Sequence, residues 1–171
     1  MKPEQIAELL DNRTVPHPRR RSVFIRRYLC SRSTAGKEIR VRENCGFAAV
    51  IVPDSPAVRE LLPARFRDAK ECILLYCHLD LTAGKPVMTR SWYLADRIDT
   101  YDGRFWRVVW SRDWNAYGFT QAVAVRTHRS FWEREREEDG RSDPRESYGR
   151  DCSFFRTQAK PLAVLRSGSA K

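Results

Sequence analysis

The chain has 171 residues, 42% apolar and 32% charged, and its 32 Lys and Arg against 22 Asp and Glu leave a net charge of +10. That length suits one domain with a sizeable core, and the charged share stands above the usual quarter. No apolar run approaches a membrane span, and the opening MKPEQIAELLDN has no apolar signal core, so a membrane protein is not expected and polyanionic partners are favoured.

Residues 3–11 read as a short helix. Pro3 suits a first helical turn, and Ile6, Leu9 and Leu10 form an apolar stripe. The stretch RTVPHPRRR at 13–21 reads as a basic linker. Residues 13–42 hold 10 Lys and Arg against one acid, Glu38, so most of the net charge lies here. Arg19, Arg20, Arg21 and Arg26 are therefore candidates to line a phosphate-binding groove. A solvated arm leading into an edge strand explains the same charges.

A strand is expected at 22–29. The loop SRSTAGK at 31–37 invites comparison with a phosphate-binding P-loop. It lacks the leading Gly, and Glu38 stands where a magnesium-binding Ser or Thr is needed. A hairpin loop between two strands is the better reading. Strands follow at 38–42 and 46–52, the second apolar enough to be buried on both faces. Ser55 and Pro56 then form an N-cap and first turn for a short helix with Val58, Leu61 and Leu62 inward. Residues 71–82 form a strongly apolar strand. Ile73, Leu75, Cys77, Leu79 and Leu81 share one face; Cys72, Leu74, Tyr76, His78 and Asp80 share the other. Residues 83–86 read as a turn.

The clearest local signal is the stretch 90–114, RSWYLADRIDTYDGRFWRVVWSRDW. Asp102-Gly103 supplies the two positive-φ positions of a two-residue type I′ turn. That turn pairs Tyr101 with Arg104 and Thr100 with Phe105. One face then carries Trp92, Leu94, Ile98, Phe105 and Val109, with Asp96 and Arg107 close enough for a diagonal contact. The opposite face carries Tyr93, Tyr101, Trp106 and Trp110 among Arg97, Arg104 and Arg112. Flat rings between guanidinium groups make a surface on which bases stack while arginines reach phosphates. Such rings also fill the second core of a sheet covered on both sides.

Residues 115–118 read as a turn and 119–127 as a strand. Ser130 to Glu133 is a capping box for a helix at 131–139. GRSDPRESYGR at 140–150 reads as a mobile loop, 152–157 as a last strand and 161–165 as a packed apolar segment. The five cysteines are scattered and odd in number, which points to free thiols in a reducing, intracellular setting, cytoplasmic or nuclear. Their spacing suits no zinc site, and neither metal nor cofactor is expected.

The expected fold is a single α+β domain over residues 22–166. It holds a mostly antiparallel sheet of about six strands with two or three short flanking helices. A helix and basic linker (1–21) precede it and a frayed tail (167–171) follows. A partly closed β-barrel with a helical cap is the alternative. The expected function is non-catalytic binding of nucleic acid, single-stranded RNA or DNA favoured. The two rivals are an assembly subunit that buries the aromatic face and a small enzyme using His78.

Overall fold

The computed structural model describes residues 1–12, 17–34, 36, 38–100 and 102–128. The features expected between 131 and 171, and part of the linker, lie outside them. Helix α1 (Pro3–Asp11) is followed by strands β1 (Arg20–Arg32) and β2 (Glu38–Val52) and by helix α2 (Pro56–Glu60). Then come β3 (Cys72–Cys77), β4 (Lys85–Met88), β5 (Ser91–Tyr93), β6 (Arg97–Asp99), β7 (Phe105–Trp114) and β8 (Phe119–Thr127).

Hydrogen bonding runs β2-β3-β8-β7-β6-β1, and β1 pairs again with β2, so six antiparallel strands close into a barrel. β5 and β4 extend from it as a wing. This corrects the open α+β sheet expected from the sequence: the protein is mostly β. Closure depends on the length of β1. Along one edge it pairs with β2 from Arg20 to Arg32. Along the other it meets β6 at Phe24–Arg26 and then β5 at Leu29–Ser31. What reads as one arm of a long hairpin, residues 90–99, is thus two short strands. The segment 83–86 is not wholly a turn, since Lys85 and Pro86 open β4.

Alternation along β3 decides inside from outside. Ile73, Leu75, Cys77, Leu79 and Leu81 fill the barrel with Val23, Ile25 and Ala49, as their shared face predicts. Cys72, Leu74 and Tyr76 point outward against α1 and α2, where Ile6, Leu10 and Val58 cover them. The cap of α2 forms as expected, Val58 N donating to Ser55 Oγ over 3.4 Å. β2 is one continuous strand and is not buried throughout, because Ala48 is exposed.

The hairpin between β6 and β7 exists, but its register differs by one residue. Asp99, not Thr100, lies opposite Phe105, and Ile98 opposite Trp106. Thr100 N donates to Arg104 O over 3.4 Å, enclosing three residues rather than two, with Gly103 at φ +78°. Asp102 caps this turn, accepting from Arg104 N at 3.1 Å and from Thr100 Oγ1 at 2.6 Å. Because strand side chains alternate, a one-residue slip turns every β7 side chain to the opposite face. The expected register sets Arg107 opposite Ile98, inside the barrel. The observed one brings Trp106 in and leaves Arg107 exposed, avoiding a buried unpaired charge. A bulge follows: Val108 faces Ala124, yet Trp110 faces Val123. The extra residue puts both Val109 and Trp110 on the outer side.

Cys30, Cys72 and Cys77 are thiols outside any disulfide. Cys45 is disulfide-bonded. The expectation of five free thiols is corrected accordingly; pairing depends on Cα separation, which sequence spacing does not reveal. Among the described residues no helix is long and apolar enough to cross a membrane.

Candidate nucleic-acid interface

The arginines of the early block separate on folding. Arg19 and Arg21 are exposed where β1 begins. Arg20 is partly covered, and its guanidinium donates to Asn12 O at the end of α1. Arg26 lies on the outer side of β1 but is only 1% exposed, so it cannot reach a phosphate as expected. On the hairpin, Arg104 is exposed at the turn with Asp102 3.7 Å away. Because Phe24 pairs antiparallel with Asp99, the start of β1 and the β6–β7 turn lie at the same end of the barrel. Arg19, Arg21 and Arg104 therefore share one end of the barrel, although Arg21 and Arg104 are 83 positions apart in sequence (104 − 21).

The aromatic face does not assemble as the sequence suggests. Trp106 is 3% exposed inside the barrel, its Nε1–H donating to Thr100 Oγ1 over 3.1 Å. It has no face on which a base can stack. Trp110 is half-buried against the outer cluster. Tyr93 lies beneath the Arg27 guanidinium, 5.2 Å from its ring centroid. Arg97 covers Tyr28 at 5.5 Å, and Arg112 covers Trp114 at 4.7 Å. These arginine–ring contacts fix side chains on the barrel wall.

The expected contact between Asp96 and Arg107 is replaced by a buried ion pair. Arg27 Nε and Nη2 reach the two oxygens of Asp96 at 2.8 and 2.6 Å. Thr82 N donates to Asp96 Oδ2 over 2.7 Å, and Arg27 also donates to Asp80 O. Burial pushes the Asp96 carboxyl up, opposed by these donors, while Asp96 raises Arg27 against its own burial. This network pins the stretch between β5 and β6 to the barrel. Sequence reasoning missed it because the partners are 69 residues apart.

His78 does not form a catalytic dyad with Asp80. Its Nδ1 donates to Gly118 O over 2.8 Å and its Nε2 lies 3.2 Å from Asp11, so it ties α1 to the barrel. Asp80 instead pairs with Lys85 at 2.9 Å. Cys72 donates to Asp54 over 3.2 Å, and Arg59 clamps that carboxylate with both arms. Burial pushes the Cys72 thiol up to about 11, so it is a poor nucleophile at neutral pH.

At the far end of β1, beside the wing, the β1–β2 turn and the β4–β5 turn flank an open cleft of about 410 Å³. Arg32, Ser33 and Thr34 line it from one side, and Thr89, Arg90 and Trp92 from the other. The sequence signal for it is the loop SRSTAGK. That loop is a strand-to-strand hairpin, as expected, with no helix behind it. In comparison with known proteins, the chain matches no family model and no curated relative.

Proposed function

We propose that the chain is a non-catalytic nucleic-acid-binding barrel. The observation that carries this reading is the exposure of Arg19, Arg21 and Arg104 at the same end of the barrel. Three exposed guanidinium groups there suit a phosphate backbone, which Arg forks bind bidentately. The net charge of +10 supports attraction of a polyanion over distance. Trp106 and Arg26, both buried, take no part in the binding surface.

Fluorescence anisotropy with labelled single-stranded and duplex oligonucleotides across a salt series tests the reading. Changing Arg19, Arg21 and Arg104 together to Ala should flatten the slope of log K against log salt by about 2, at roughly 0.7 for each phosphate that is no longer neutralised. The weakening should hold for every sequence. A folded wild-type protein with no salt-sensitive anisotropy change refutes the proposal.

A further inference from the structure

We infer that the cleft between the β1–β2 and β4–β5 turns is a second site, built for a phosphate-bearing nucleotide unit. Its lining has the parts such a ligand needs. Arg32, at the end of β1, and Arg90, on the β4–β5 turn, are exposed cations, and Ser33, Thr34 and Thr89 also line the cleft. Trp92, half-buried on β5, supplies an aromatic wall. The two turns are held at fixed separation, because Arg32 N donates to Arg90 O over 2.8 Å. Arg32 also lies over the Trp92 ring, 5.9 Å from its centroid. Charge and ring are thus adjacent, the pairing that a phosphate joined to a base requires. A volume of about 410 Å³ falls within the range of small-ligand sites.

Anion recognition here would come from side chains. A P-loop holds phosphate with backbone N–H groups at a helix N-terminus, whereas this loop joins two strands. The cleft is also distinct from the Arg19/Arg21/Arg104 end. β1 spans 13 residues between them, about 40 Å at 3.3 Å per residue. The ligand chemistry has two sources, a free mononucleotide or a nucleotide within a strand; only the second rests on the function proposed above.

Tryptophan fluorescence of the full chain tests the site. The probes are adenosine 5′-monophosphate, adenosine, and oligonucleotides with and without a 5′-phosphate. Adenosine 5′-monophosphate or an oligonucleotide should quench the signal, and adenosine should do so far more weakly. The quench should disappear in Trp92→Phe. Arg32→Ala and Arg90→Ala should each weaken binding about tenfold, the scale of one charge-assisted hydrogen bond. Both arginines are exposed, so circular dichroism of these variants should match wild type. Quenching by the mononucleotide alone assigns the cleft to free nucleotides; quenching by oligonucleotides assigns it to a strand. No quench with any probe, or a quench indifferent to Arg32, Arg90 and Trp92, overturns the inference. If oligonucleotides then still bind through Arg19, Arg21 and Arg104, only the cleft is refuted. If nothing binds, both readings fall.

Discussion

Replacing Trp106 by Ala separates two accounts of the same ring. If the ring faced solvent as a stacking platform, its loss would cost affinity and leave stability nearly intact. Inside the barrel it packs with Ile98, Val108 and Ala124 and is 3% exposed. An aromatic side chain buries about 150–250 Å², worth about 4–6 kcal/mol at 25 cal/mol per Å². That is an upper bound, because the unfolded chain already hides part of the ring. Loss of the indole hydrogen bond adds about 1 kcal/mol, although Thr100 Oγ1 keeps its bond to Asp102. Measured truncations of buried Phe and Trp cost about 3–5 kcal/mol, and that is the expected loss here. Urea unfolding followed by far-UV circular dichroism should show a lower midpoint at unchanged slope. Trp106→Phe should recover most of the stability, since it keeps an apolar ring and forfeits chiefly the hydrogen bond. A Trp106→Ala protein within about 1 kcal/mol of wild type refutes the inward register.

Asp96→Ala should destabilise by about 3–5 kcal/mol, because Arg27 keeps its buried charge without its carboxylate; the double change Arg27→Met with Asp96→Leu should cost less than either single change, as a double-mutant cycle will show. Gly103→Val should cost about 1–2 kcal/mol in thermal unfolding through its φ of +78° alone, since a Cβ there meets nothing within 4 Å; Gly103→Asn should cost markedly less, and equal losses would contradict the positive-φ account. Burial raises Cys72 to about 11 and Cys77 to about 12. The neutral thiols therefore contribute fully below the ordinary thiol range, and that contribution is lost as pH climbs towards 11 and 12. Neither should be alkylated near neutral pH in the folded protein, as peptide mapping after iodoacetamide will test. In denaturant without reductant, fewer than five thiols should titrate, and five after reduction; five at the outset would mean that Cys45 is unpaired.

Much of the local structure is determined by the sequence alone. The period-2 pattern of residues 73–81 says that Ile73, Leu75, Cys77, Leu79 and Leu81 share a face, and they do. Ser55-Pro56 marks the start of α2, and Asp102-Gly103 marks a turn, because both depend on chemistry within a few residues. The arginine block is equally visible, as composition is. Alternation, however, fixes only which residues travel together. It does not say which set turns inward or what each strand pairs with. Those choices minimise buried charge and maximise buried apolar area over the whole barrel. The three-residue turn, the Val109 bulge and the double pairing of β1 all follow from that global condition. Hence Trp106 becomes core, Arg27 finds Asp96 across 69 residues, and a loop that resembles a failed P-loop comes to face Arg90 and Trp92. Only the tertiary structure brings these residues together, because each contact depends on which strands become neighbours, in the barrel or in its wing, and not on order in the chain.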